Sequence, residues 1–383
     1  MTMLTRIGEK HLERWLGGYL IDRLRLFRNR NVVQAPAHLL FAFCDHYEPL
    51  WAAGGKKAEL ATGLERVNRW RREYPILADR FRDSDGRVPR HSFFFPAEEY
   101  HPELFEHLDD LVRRGYGEVE LHLHHADDTA ESLRAQLQNA VDTYQRHGHL
   151  SRDSQGRARY AFIHGNWALA NGRPDGQHCG VDQELEVLFE TGCFADFTFP
   201  SCPDVTQPRR VNQIYWPLGK FRERRGYEHG RRARVGDDWH DRLLMITGPI
   251  GFARRSGTLR PRLEYGAVTA HDPADISRVR SWLRARIHIE GRAEWTFVKV
   301  YTHGASESQA GSLLGAGGLA LHGALAQVCE EARLKLHYVT AREMYNVARA
   351  AMAGQVGDPG QYRDYELPPP PIAVGQELLD QSR

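Results

Sequence analysis

Neither sign of charge prevails in this 383-residue chain: 51 basic and 50 acidic side chains leave a net charge of +1. That balance provides no field to hold nucleic acid or an anionic membrane. Cysteine is scarce and scattered. The five (Cys44, Cys179, Cys193, Cys202 and Cys329) are odd in number and form no CxxC pair, so neither a disulfide framework nor a thiolate zinc site is expected. A reduced, cytoplasmic protein is the expectation. No glycine-rich nucleotide loop of either common kind occurs, and no internal repeat is visible. The first thirty residues hold no apolar run long enough for a leader's core or a membrane span. Leu4, Ile7, Leu12, Trp15 and Leu16 instead suggest an amphipathic helix over 1–30. Packing against the main domain is its default reading, and a basic helix lying on a membrane surface is the alternative.

What is present centres on Glu118 to Asp128. Val119, Leu121 and Leu123 alternate with Glu120, His122 and His124, the period-two pattern of a strand with one polar face. His122 and His124 therefore share a side, while His125 points away unless the chain has already turned. Asp128 followed by Glu131, with Leu133, Leu137 and Val141 beyond, predicts a capped helix start. Histidines and aspartates crowded at the carboxyl end of a strand favour a site for zinc or a similar divalent ion. The plainer reading is a polar edge strand with solvated histidines.

Other apolar runs end in polar residues too. Ala37 to Cys44 runs into Asp45, His46, Tyr47 and Glu48, a second strand covers His91 to Phe95, and Tyr160 to Ile163 delivers His164. Trp295 to Tyr301 delivers His303, and Leu334 to Val339 precedes a helix capped by Thr340 and Glu343. Helices alternate with these strands, which calls for a mainly parallel sheet with helices outside. At this length the predicted fold is α/β, a distorted (β/α) barrel of about seven strands spanning 31–356, with an open doubly wound sheet as runner-up. Lys220 to Thr269, rich in Arg and Gly, breaks the rhythm and reads as a peripheral insertion, with possible hairpin strands at Leu243 to Thr247. Gly357 to Arg383 reads as a proline-rich tail without a core pattern.

In their order these residues resemble the polysaccharide deacetylase family of metal-dependent carbohydrate esterases. Ala42-Phe43-Cys44-Asp45 sits where that family has Thr-Phe-Asp-Asp, and Phe93-Phe94-Phe95-Pro96 matches its second strand. Gly117-Glu118-Val119-Glu120-Leu121-His122 matches its histidine strand, and His164-Gly165-Asn166-Trp167 lies where it has a substrate-groove motif. Val298 to His303 resembles its last strand, which ends in a catalytic histidine. The resemblance covers roughly residues 37 to 305 and implies a metal-bearing barrel. Two departures stand out. Cys44 occupies the place of the family's general base if Asp45 takes the metal place, and Ala126 falls where a second metal histidine belongs. His124, His125 or Asp128 must then substitute; if Asp45 is the base instead, His46 is a candidate ligand.

The function expected from this is metal-dependent removal of an N- or O-acyl group from a carbohydrate or a sugar precursor of a surface polysaccharide. Asp45, His122 and His124 form the expected ligand set, with His125 in reserve and zinc the expected ion. Glu48 or His46 is the expected base, and His303 the acid that returns a proton to the leaving amine. Asn166, Trp167 and His164 are expected to touch substrate, Trp167 by offering a flat face to a sugar ring. Glu98 and Glu99 are expected on a solvated rim. The alternative is a degenerate barrel that binds glycan without hydrolysing it, and cleavage of a C–N or glycosidic bond by the same rim is a third reading.

Overall fold

The computed structural model describes residues 10–28, 37–52, 56–219, 222–254 and 261–374. A mixed α/β architecture is built on one large, mostly parallel sheet. Ten of its eleven strands are β1 (His38–His46), β2 (His91–Pro96), β3 (Gly117–Leu123), β4 (Ala158–His164), β5 (Cys193–Asp196), β6 (Ile214–Pro217), β7 (Gly230–Arg232), β8 (Leu244–Ile246), β9 (Trp295–Thr302) and β10 (Lys335–Tyr338), and the eleventh is the two-residue Ser151–Arg152 beside the start of β4. The order across the sheet is β7-β6-β8-β5-β4-β3-β2-β1-β9, with β10 beside the first half of β1 and β2 beside its second half. All these pairings are parallel except those made by β6. A closed barrel is not shown. No ladder joins β9 to β8 among the described residues; Lys299 Nζ of β9 donates at 3.3 Å to the carbonyl of Phe199, just past β5.

Alternation along β1 separates two faces. Leu39, Phe41 and Phe43 pack with the outer helices α2 (Leu60–Ala78), α3 (Pro102–Arg113), α4 (Ala130–Arg146), α5 (Glu184–Glu190), α6 (Ile276–Ala285) and α8 (Ala316–Ala332). Leu40, Ala42 and Cys44 face the inner side, where α9 (Ala341–Met352) sits with every residue buried. Its apolar residues Met344, Val347, Ala348 and Ala351 pack against the sheet's inner face, and its Arg342, Glu343, Asn346 and Arg349 are buried with polar partners. Its start is the capping box expected at Thr340 and Glu343. On β3 the polar face is not solvated. Glu118 pairs with Arg342 at 2.8 Å, and Glu120 accepts the Ala161 N–H at 2.6 Å.

The peripheral placement of 220–269 needs correction. Leu244–Ile246 is a buried strand of the central sheet, parallel to β5 and antiparallel to β6. The sequence marked a strand at Leu243 to Thr247, but a three-residue strand covered on both faces shows no alternation to place it in the central sheet rather than in an outer hairpin. Gly251–Arg254 and Pro261–Glu264 do form a separate hairpin. The proline-rich stretch also packs, through residue 374. Asn346 Nδ2 donates to the Arg363 and Leu367 carbonyls, and the Ile372 N–H donates to Gly148. It is held by polar bonds to α9 rather than by an apolar stripe, so hydrophobic periodicity carried no sign of it. The cap of α4 is Thr129 with Ser132, not Asp128 with Glu131. Asp128 instead accepts from Ser132 Oγ at 2.6 Å and contacts His125.

In the amino-terminal helix α1 (Leu12–Arg28), Trp15 is buried against Cys202, Val211 and Ile250. Residues 1–9 and 29–30 of that expected segment lie outside the described residues, as do 220–221, 255–260 and 375–383. No single helix among the described residues is long and apolar enough to cross a membrane. The bent pair α7 (Glu307–Leu313) and α8 passes the test only jointly, and its Leu313, Leu321 and Leu325 are buried in the outer core.

Candidate metal centre

At the carboxyl ends of β1, β3 and β9 the inner face turns polar. His46, last residue of β1, continues the face of Cys44, and His122 continues that of Glu118 and Glu120. With His303 they form a ring cluster, His46 lying 5.1 Å from His122 and 4.6 Å from His303 between ring centres. His124 stands beside His122 at 4.6 Å. Above them opens a cavity of about 320 Å³ whose walls include Glu48, Trp51, His124, Asn166, Trp167 and His303.

Glu48 lies at the centre of the group. Its Oε1 is 3.2 Å from His122 Nε2 and 3.2 Å from His124 Nε2. The other nitrogen of each ring is already committed. His122 Nδ1 is 2.7 Å from the Ile163 carbonyl, which can only accept, so Nδ1 carries the hydrogen. His124 Nδ1 sits 2.6 Å from Glu98 Oε1, and the His124 amide also donates to that oxygen at 3.2 Å. A metal-binding imidazole is oriented in this way, with its far N–H given to a carbonyl or carboxylate. Both Nε2 lone pairs then face one carboxylate oxygen, an arrangement that calls for a proton or a cation between them. Tetrahedral ligands at zinc distances lie roughly 3.3 Å apart, close to the spacing here. The three ligand atoms lie within 4.8 Å of one another, as do those of His46, Glu48 and His303. His46 Nε2 is buried without a hydrogen-bond partner. These residues fit a divalent ion.

Without an ion, a proton takes that place. Burial opposes a charge on His124, but the hydrogen bonds and charges of Glu48 and Glu98 outweigh it and push its pKa up to about 10. Burial alone would raise the Glu48 carboxyl, yet the His303 charge and the hydrogen bonds of His122 and His124 hold it well below the usual carboxylate range. Glycine is required where β4 leaves the sheet. A Cβ on Gly165 would lie 2.3 Å from the His124 ring. Asn166 and Trp167 follow with φ of 54° each, left-handed conformations that cost energy in residues bearing a Cβ and that aim both at the cavity.

Several sequence-predicted residues lie elsewhere. Asp45 is on the helix-facing side of β1, one residue out of phase with His46. Its Oδ1 accepts the Gly304 N–H at 2.6 Å, and its Oδ2 is 3.5 Å from His91 Nε2. Burial pushes its pKa up to about 8 against the opposing Gly304 hydrogen bond. Asp45 is therefore not brought together with His122; with Trp70, whose Nε1 donates to the Gly304 carbonyl at 3.0 Å, it fixes the peptide after His303. His164 likewise sits on the outer face with Phe162, away from the cavity, because strand period sets it opposite Ile163. His125 points away from His122 and His124 and meets His164 instead, with 4.7 Å between ring centres. Glu98 and Glu99 are not solvated: Glu98 orients His124, and Glu99 accepts the Leu50 N–H at 2.6 Å. The expected base Glu48 is a better ligand candidate than base. Trp51 was missed, having no strand or motif to mark it.

No protein-family model matches this chain, and no curated protein matches it either.

Proposed function

We propose that the protein is a metal-dependent hydrolase that removes an acyl group from the nitrogen or oxygen of a carbohydrate. Glu48, His122 and His124 hold the ion in this reading. The observation that carries it is the pair of imidazole nitrogens, each oriented from behind, facing one carboxylate oxygen at the floor of an open cavity. A zinc ion bound there supplies Lewis acidity toward the acyl carbonyl and toward water. The chain's own residues do the rest. Trp167 and Trp51 offer apolar faces to a sugar ring, and the Asn166 amide can donate to a developing oxyanion. His46, with its unpartnered Nε2, accepts a proton, and His303 delivers one to the departing amine or hydroxyl. The carbohydrate substrate rests on the resemblance to polysaccharide deacetylases and on the two tryptophans.

Binding without turnover is the competing reading, and one observation favours it. Cys44 and Asp45, the positions where the resembled family carries its base, both lie outside the cavity, and burial pushes the Cys44 thiol up to about 12. Metal analysis of the purified protein, paired with acetate release from N-acetylated sugars, separates the two. The hydrolase reading expects bound metal and turnover, with His303→Ala keeping the metal and losing roughly 10²-fold or more in rate. Metal and sugar binding without acetate release would favour the binding protein. Absence of metal after purification under metal-replete conditions would contradict the centre itself.

A further inference from the structure

On the outer face of the sheet a second cluster gathers His125, His164, Cys179 and Glu184. They come from four segments: the turn after β3, the end of β4, the loop before α5, and the first turn of α5. All four are buried, and their ligand atoms lie within 4.8 Å of one another. We propose that this cluster is a second, closed metal site, taking zinc or a similar transition ion through two imidazoles, one thiolate and one carboxylate.

The hydrogen bonds around it turn the two imidazole nitrogens and one Glu184 oxygen toward one another, with Cys179 Sγ beside them. His125 Nδ1 is 3.0 Å from Asp128 Oδ2, so its hydrogen goes to that carboxylate and the Nε2 lone pair faces Glu184 Oε1 at 3.2 Å. His164 Nδ1 is committed to the Gly165 carbonyl, which can only accept. Its Nε2 is buried with no hydrogen-bond partner and lies 3.5 Å from the same Glu184 oxygen. Two bare imidazole nitrogens thus converge on one carboxylate oxygen here too. Glu184 Oε2 is occupied by the Ala170 N–H at 2.6 Å, leaving Oε1 toward the centre. Cys179 Sγ accepts the Asn171 and Val181 N–H groups at 3.3 and 3.4 Å, and its thiol donates to Glu184 Oε2 at 3.3 Å, a proton that metal binding would displace; without an ion, burial and the Glu184 charge push the thiol up.

Four protein donors with no open position define a structural site rather than a catalytic one. Its consequence is mechanical. Asn166 and Trp167, which line the cavity on the inner face, lie in the chain that runs from His164 to Cys179, and the ion would pin both ends. The loop already docks closely: the Asp128 N–H donates to the Cys179 carbonyl at 3.1 Å, and a Cβ on Gly180 would lie 2.8 Å from the Asp128 backbone.

The proposal is independent of the hydrolase reading, because of these two clusters this one alone contains sulfur. The test is to load the full chain with cobalt(II) and record its near-ultraviolet spectrum beside the metal content. A thiolate-to-cobalt charge-transfer band is expected in the parent, retained in His122→Ala and in Cys44→Ser, and lost in Cys179→Ser. Zinc content should fall by one equivalent in Glu184→Gln. Cobalt-loaded parent without the band would overturn the proposal with no variant needed, as would a band that survives Cys179→Ser. A parent that shows the band and keeps its full metal content in His122→Ala supports this site and removes the one on the inner face.

Discussion

At the scale of single residues, the account turns on which way a side chain faces at the last residue of a strand. Glu98 provides a test that does not touch the ligands. Its carboxylate holds the His124 ring by a 2.6 Å bond to Nδ1. Glu98→Gln replaces a charged acceptor with a neutral one and should weaken metal binding by roughly 10–100-fold, measured by competition with a chelator. Unchanged affinity would mean that His124 is not a ligand. The sequence made His122, His124 and His303 legible because Val119, Leu121 and Leu123 mark the opposite face of β3, and because His303 closes an apolar run. It did not make Asp45 legible. Both faces of β1 are apolar, Leu39, Phe41 and Phe43 on one and Leu40, Ala42 and Cys44 on the other, so alternation could not say that His46 rather than Asp45 faces the cavity. Cys179 and Glu184 gave no signal, since their loop carries no regular spacing and the cluster forms only when four segments fold together.

Among the elements, α9 shows how much of this fold is held by buried charge. Glu343, buried in the first turn of that helix, meets Arg90 at 2.5 Å and Arg363 at 3.2 Å, while Arg363 ties residues beyond 357 to Asp83 and Asp85. Burial alone would raise the Glu343 carboxyl, but the charges of Arg90, Arg363 and Arg342 hold it far below the usual carboxylate range. A depressed folded-state pKa stabilises above the unfolded value of about 4.3, and that stability is lost as pH falls toward the folded value. Glu343→Gln should therefore cost about 3–5 kcal/mol at neutral pH, as breaking a buried pair does. Its melting temperature should also fall less than the parent's between neutral pH and about pH 3. Parallel melting profiles for the two proteins would count against it. The cap at Thr340 was readable because it is local. The packing of 357–374 was not, because Arg342, Asn346 and Arg363 act over long sequence distances.

For the whole molecule, the alternating strands and helices made the parallel sheet legible, and Leu243 to Thr247 was legible as a strand, while that strand's place in the central sheet was not. Closure depends on whether β9 finds a ladder partner, and no local pattern encodes that. The curved sheet keeps two histidine clusters apart by strand period alone: His122 and His124 inside, His125 and His164 outside. The claim that Glu48, His122 and His124 hold an ion at the mouth of the inner face is tested most directly by X-ray diffraction at the zinc absorption edge, from crystals of metal-replete protein. The account predicts an anomalous peak bounded by Glu48 Oε1 and the Nε2 atoms of His122 and His124. A map without a peak at that point, or with one between Asp45 and His122 instead, would contradict it.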